Sequence, residues 1–123
     1  MNRPAPWSDT ENQSVIELYF AMLAKAKDDR AYNKAAMIRY ARGEDHITDL
    51  PAGLTVYVYG ELSNRSRGSI EAKLMNVTAC HRDLYPGDVT MDGFGYKAAP
   101  NYQASLKKAV NETLNTIHDR LTA

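Results

Sequence analysis

The stretch from Arg65 to Asn76 combines cations, hydroxyls and an amide at a spacing that suits the binding of an anion. It reads RSRGSIEAKLMN, and Ser66 is placed to cap a helix whose buried side carries Ile70 and Leu74. The free backbone N–H groups and the dipole at such a helix end favour a negative charge. We therefore expect a phosphate to be held there by the helix end, the serine hydroxyl and an arginine fork.

Lys73 and Asn76 follow one and two turns further on, where they can reach a second phosphate or a base edge. With Arg65, Arg67 and Glu71 included, this end of the helix has a local excess of two positive charges. The arrangement is typical of the recognition helix of a helix-turn-helix module. The alternative is a capped helix with an ordinary solvated face, on which the glutamate would repel DNA.

Three other helices are predicted from capping residues and hydrophobic periodicity. Ser8 and Glu11 form a capping box ahead of a long apolar stripe. A short second helix, KAAMIRYAR, follows Asn33, which can cap it. The last helix follows Asn101 and carries an apolar residue every three or four positions. These helices supply the core against which the anion-binding helix must pack.

The segments between the helices are less regular. LTVYVYG at 54–60 alternates and is rich in β-branched and aromatic residues, which favours a strand paired with a short run such as DVTM at 88–91. The alternative is that tertiary context makes the segment helical. Glycines and prolines break any period over 84–100, which predicts a loop. We expect a single, mainly α domain over 1–123: a four-helix, helix-turn-helix-like domain with a small β element and a long Gly-rich loop.

Composition narrows the classes of function. Fifteen basic residues balance fifteen acidic ones, so a nucleic-acid surface has to be a local patch rather than a global field. The single cysteine, Cys80, favours a reducing compartment. The N-terminal residues lack the apolar segment of a signal peptide, and no apolar run is long enough to span a membrane. We expect a cytoplasmic protein without a membrane partner.

The residues that could do catalysis or bind metal lack the necessary spacing. Cys80 and His81 are adjacent, and neighbours on a helix point about 100° apart, which disfavours a nucleophile–base pair. The acidic residues Asp83, Asp88 and Asp92 lie in a stretch rich in glycine and proline, where such residues usually form turns. No phosphate-binding loop, GxSxG or dinucleotide motif occurs. We expect no enzyme activity, no metal and no cofactor.

Three motifs carry a resemblance to a known family: NK at 33–34, NRSRGSIEAKLMNVTA at 64–79 and GYKAAPNYQASLKKAV at 95–110. They resemble the accessory, non-catalytic domain found with bacterial HNH endonucleases and related restriction-type proteins, with its pattern NK, RSxGSIExKxxNIS and GYKPxxNYQ. The resemblance spans about residues 10–115 and implies DNA recognition in a defence system of a bacterium or phage. No HNH site is encoded by the three histidines of this chain.

The sequence departs from the family pattern at three places. Ala72 stands where the pattern prefers an aromatic residue, and an extra residue precedes Pro100. Residues 44–60 look like an insertion between the first and second motifs, so the predicted strand is an addition of this chain. Such an insertion beside a recognition helix suits either a wing on DNA or a surface for a protein partner.

Two hypotheses of function follow. The first is a small DNA-binding module that reads duplex DNA through the helix at about 66–80. Its predicted contact residues are Lys34, Arg65, Ser66, Arg67, Ser69, Lys73, Asn76, Tyr96 and Lys97. The second is a free-standing, phage-encoded interaction module that inhibits or modulates a bacterial defence complex, using the inserted Tyr-rich segment. It is motivated by the zero net charge and the missing nuclease domain.

Overall fold

The computed structural model of the protein describes residues 6–27, 34–44 and 59–122. Its elements in chain order are α1 (Asp9–Lys27), α2 (Lys34–Ala41), α3 (Arg67–Leu84), a 3₁₀ helix (Met91–Phe94) and α4 (Ala104–Thr122). The mainly α character and the four α-helices are therefore confirmed for this part of the chain. None of these helices combines the length and the apolar character needed to cross a bilayer.

α1 is the central helix. Its capping box forms as predicted: the Ser8 N–H donates to Glu11 Oε1 at 3.0 Å, and the Glu11 N–H donates to Ser8 Oγ at 3.1 Å. Residues 14–16 and 18–23 are buried, so the helix is covered around most of its circumference. It contacts α2, α3, α4 and the 3₁₀ helix. A helix that is apolar on nearly all sides is stable only in such a central position.

α3 and α4 pack against α1 and against each other through the stripes that periodicity predicts. The buried apolar side chains of these stripes are Ile70, Leu74 and Val77 on α3 and Leu106, Val110 and Leu114 on α4. The two ends of α3 differ in exposure. Residues 66–68 are exposed, whereas residues 77–81 are buried without interruption. The start of α3 therefore lies at the surface, whereas its segment 77–81 lies in the core.

The loop after α3 is joined to the core by a chain of hydrogen bonds that runs from the buried Tyr19 and His81 to the exposed Asp88. The Tyr19 hydroxyl lies 2.8 Å from His81 Nδ1 and accepts the N–H of Met91 at 3.3 Å. His81 Nε2 lies 3.0 Å from Asp88 Oδ2. Burial raises the pKa of the Tyr19 hydroxyl, so it remains a neutral donor and acceptor. One tyrosine of α1 thus joins α3 and the 3₁₀ helix.

The helix-turn-helix character and the small β element are not supported. Residues 42–66 separate α2 from α3, whereas a helix-turn-helix uses a turn of three or four residues. DVTM was expected to pair with a strand, but Thr90 instead caps the 3₁₀ helix, accepting the Asp92 N–H at 3.3 Å. The predicted strand at 54–60 lies outside the described residues except for Tyr59 and Gly60, which form a turn.

Tyr19→Phe tests the stabilising role of this hydrogen-bond chain. Removing the hydroxyl takes away the acceptor of the buried Met91 N–H and the hydrogen bond to His81 Nδ1, so the free energy of unfolding should fall by about 1–3 kcal/mol. Urea denaturation followed by circular dichroism measures the change. Tyr85→Phe is the matched control, because the Tyr85 hydroxyl makes an exposed bond of 3.5 Å to Asn115. Equal stability of the two variants would contradict a structural role for the chain.

Candidate nucleic-acid interface

The N-terminal end of α3 is capped and open to solvent. Ser66 has extended backbone angles (φ −71°, ψ 157°), and its Oγ accepts the N–H of Ser69 at 3.1 Å, which confirms the predicted cap. Ser66, Arg67 and Gly68 are exposed. A Cβ placed on Gly68 would meet no heavy atom within 4 Å. An anion can therefore approach the backbone of this helix end without displacing any side chain there.

Arg65, expected to clamp phosphate, is committed inside the fold. Its Nε donates to Glu11 Oε2 at 2.6 Å, and its Nη2 donates to Glu11 Oε1 at 2.8 Å and to the carbonyl of Pro6 at 2.9 Å. The residue is only 7% exposed, and the guanidinium carbon lies 4.9 Å from the centre of the Trp7 ring. The Arg65 guanidinium therefore makes its two parallel hydrogen bonds to the Glu11 carboxylate and not, as the sequence had predicted, to a phosphate.

The ion pair with Arg65 lowers the pKa of the Glu11 carboxyl. The hydrogen bond from Arg65 is the largest cause, and with those from Ser8 it outweighs desolvation and lowers the pKa of the Glu11 carboxyl to about 2. The same bond raises the pKa of the Arg65 guanidinium. Both groups are therefore charged at neutral pH, and the pair holds the N-terminal segment 6–8, here called the strap, against the start of α3.

Lys73 lies beside the same strap. Its Nζ is 5.2 Å from the centre of the Trp7 ring, a cation–π distance, and the side chain is partly buried. Burial is the main cause that lowers the pKa of the Lys73 ammonium, with repulsion from Arg65 acting in the same direction. Lys73 is therefore a cation at the edge of the core, next to the exposed end of α3.

The Asn76 side chain joins the second sequence motif to the third through hydrogen bonds. Its Nδ2 donates to the carbonyls of Ala99 and Asn101 at 3.0 and 3.2 Å, which uses both amide hydrogens. The N–H of Ala99 donates to the carbonyl of Met75 at 3.0 Å. The segment after Lys97 thus lies along α3. The expected reading of a base edge by Asn76 would require these bonds to break.

Lys34 and Tyr96 form another internal contact. The Lys34 Nζ lies 4.9 Å from the centre of the Tyr96 ring and donates to the carbonyl of Gly95 at 3.4 Å. Gly95 has φ 114°, and a Cβ there would come within 2.7 Å of the Lys34 Nζ. Tyr96 is 4% exposed, so its ring is not available to stack on a base. Lys97 is exposed.

The predicted contact residues therefore divide into two groups. Arg65, Asn76 and Tyr96 hold the fold together. Ser66, Arg67 and Lys97 are exposed, while Lys34, Ser69 and Lys73 are partly exposed. Sequence reasoning missed Trp7 and recognised Glu11 only as a capping residue. Glu11 and Arg65 are 54 positions apart, so no local spacing indicates their pairing.

Cys80 and His81 do not form a catalytic pair. Cys80 is fully buried, and burial is the largest cause that raises the pKa of its thiol to about 12. The two ring nitrogens of His81 face Tyr19 and Asp88 instead. Within residues 6–27, 34–44 and 59–122, no three side chains of the histidine, cysteine, aspartate and glutamate types are grouped to hold a metal ion.

Comparison of the chain with protein-family models, with curated proteins and with solved structures finds no match.

The Glu11–Arg65 pair predicts a specific pH dependence. The folded-state pKa of Glu11 lies near 2, below its ordinary value of 4.5, so the stabilisation is complete above pH 4.5 and is lost as the pH falls towards 2. Glu11→Gln should cost about 2–4 kcal/mol at pH 7, because it leaves the Arg65 charge buried without a carboxylate.

Urea titrations between pH 7 and about pH 2 measure the difference in the free energy of unfolding between the wild type and Glu11→Gln. It should shrink as the pH falls, since the protonated wild-type carboxyl resembles the amide. Glu61→Gln, at an exposed position, is the control. A stability difference that is independent of pH would contradict the ion pair.

The burial of Cys80 predicts that its thiol reacts slowly with alkylating reagents in the folded protein. With its pKa near 12, the thiolate fraction at pH 8 is about a thousandfold below that of a free cysteine, and the sulfur is also shielded. Labelling with a maleimide should therefore follow the rate at which the protein opens. Mass spectrometry over a urea series checks this, with labelling in full urea as the control. Rapid labelling of the native protein would contradict the burial.

Proposed function

We propose that the protein is a small non-catalytic DNA-binding module, related to the accessory domains of restriction-type nucleases, that contacts the phosphate backbone through the N-terminal end of α3. The single observation behind this proposal is the open, capped helix end at Ser66, Arg67 and Gly68. Exposed backbone N–H groups, a helix dipole and an adjacent cation are the elements of a phosphate site.

Arg67 is the principal cation of the proposed contact. Its side chain is 59% exposed and pairs with Glu71, itself 40% exposed, at 3.4 Å. Such surface pairs contribute less than about 1 kcal/mol, so a phosphate can replace the glutamate at little cost. Lys97 supplies a second phosphate contact. Lys73 supplies a third once its ammonium group moves away from the Trp7 ring. Arg65 acts as a positioning residue that holds the turn leading into α3.

The proposed mode of binding differs from that of a recognition helix. Residues 77–81 of α3 are buried, so this half of the helix cannot enter a groove. Asn76 and Tyr96 are engaged within the fold, which leaves phosphate contacts rather than base contacts. We therefore propose binding that is independent of sequence, weak and strongly dependent on salt. A net charge of zero means that no long-range attraction adds to it.

Fluorescence anisotropy with a labelled DNA duplex tests the proposal. Three phosphate contacts predict a slope of about −3 in log K against log salt, and Arg67→Ala or Lys97→Ala should each reduce its magnitude by about one. Arg82→Ala is the matched control: it removes an exposed arginine near the other end of α3, 3.5 Å from Asp83. It should leave affinity and slope unchanged.

Two outcomes would count against DNA binding. One is the lack of saturable binding below about 10 µM protein at low salt. The other is an equal loss of affinity in the Arg67 and Arg82 variants, which indicates nonspecific charge effects. Because both side chains are exposed, neither substitution should impair folding.

A second candidate is the protein-interaction module, with a bacterial defence complex as its partner. It is favoured by Tyr59, an exposed aromatic residue at the end of the predicted insertion. The Tyr59 hydroxyl donates to the carbonyl of Gly43 at 3.2 Å, and its ring meets that of Tyr40 edge-on at 5.2 Å. Pull-down from a nuclease-treated bacterial lysate with wild type and Tyr59→Ser distinguishes the candidates. A partner that survives nuclease and is lost with the variant supports this one.

A further inference from the structure

We infer that a polar groove between α1 and α4 binds a small molecule that carries a carboxylate and a guanidinium or second ammonium group, the class to which arginine belongs. The groove has a volume of about 330 Å³, at the lower end of the range of ligand sites. It is formed by the first halves of the two helices and does not include any residue of the proposed DNA contact.

Charged side chains form the rim of the groove. Asp9 on α1 and Lys108 and Glu112 on α4 line it and are exposed. Lys108 and Glu112 are four residues apart, so they lie one turn apart on the same face of their helix. Two carboxylates and one ammonium leave the rim with one net negative charge. This balance favours a ligand of net charge +1 that also offers an anionic group to the lysine.

Carboxamides lie deeper in the groove. Asn12 is one turn after Asp9 and is 3% exposed, while Gln13 is partly buried and donates through Nε2 to Thr113 Oγ1 at 3.1 Å. Asn12 Oδ1 is buried and accepts no hydrogen bond. A buried amide oxygen without a partner costs about 1–3 kcal/mol, so its presence between two packed helices calls for an explanation.

A ligand explains the unpartnered amide. Rotation about the Cβ–Cγ bond exchanges Oδ1 and Nδ2, which have nearly the same size, so either end can face the groove. A guanidinium or ammonium group in the groove would donate to the oxygen and be held by the rim carboxylates. Its carboxylate would then pair with Lys108. Ordered water alone is the competing explanation, and it predicts no selectivity among solutes.

Two-dimensional NMR of the ¹⁵N-labelled protein with L-arginine as the probe tests the inference. Saturable shifts confined to the amides of residues 9–13 and 105–112 are expected at about millimolar arginine. Agmatine, which lacks the carboxylate, should bind more weakly, and L-glutamate should produce no saturable shift. Absence of saturable shifts with arginine at about 10 mM, or equal shifts with all three probes, would overturn the inference.

Variants separate a ligand site from a structural feature. Glu112→Gln should weaken arginine binding at least threefold, and Lys108→Met should abolish the difference between arginine and agmatine. Glu61→Gln, exposed and outside the groove, is the matched control and should bind as the wild type does. If arginine binds Glu112→Gln and Lys108→Met as tightly as it binds the wild type, the groove is not the site.

Asn12→Leu provides a readout that a structural role would not give. The leucine is close in size and removes the unpartnered amide, so the variant should melt about 3 °C above the wild type while losing the arginine-dependent shifts. A fall in Tm together with unchanged arginine binding would assign Asn12 to the structure and overturn the inference. The DNA titration is unaffected by either result, so the two proposals fail independently.

Discussion

The bidentate pair between Arg65 and Glu11 determines how the beginning of the chain meets its centre. Glu11 caps α1, and Arg65 precedes the cap of α3, so one contact fixes the relative position of two helix ends. Burying Arg65 and partly burying Glu11 is costly, and this cost is offset by the bidentate geometry and by the Pro6 carbonyl as a third acceptor. Loss of Glu11 would leave the Arg65 charge buried without a carboxylate, so separating these two helix ends is costly.

Several polar residues of the three sequence motifs hold these motifs together within the fold. Asn76 of the second motif binds the carbonyls of the third, and Lys34 of the first lies against Tyr96 of the third. A polar residue that recurs in a pattern can therefore be required by internal hydrogen bonds as much as by a ligand. The family resemblance remains a prediction, but these contacts give its residues a physical purpose that does not depend on DNA.

Local signals predicted the local features well. The capping residues Ser8 and Ser66, and the apolar stripes of α1, α3 and α4, follow from interactions within one or two turns of helix. The same reasoning predicted an open helix end, and residues 66–68 are exposed. Contacts with residues that are distant in the sequence could not be predicted from such local signals. The helix-turn-helix expectation assumed that a short turn joins α2 to α3, whereas residues 42–66 separate the two helices.

Distance along the chain explains what could not be predicted. Arg65 was expected to be free because its partner lies 54 positions away. The hydrogen bond between Tyr19 and His81 likewise joins residues 62 positions apart, so no local spacing indicates it. Charge counting treats every arginine as available, whereas burial of Arg65 removes it from the surface potential. No local pattern indicates the groove at Asn12 either, because its two sides come from opposite ends of the chain.

The position of Trp7 has a spectroscopic consequence. It is the single tryptophan of the protein, and its indole packs on the core within about 5 Å of two cationic groups. Its emission therefore reports the junction of the strap with α3, while far-ultraviolet dichroism reports all the helices. Melting curves recorded with the two signals would coincide only if that junction and the helical core unfold as one cooperative unit.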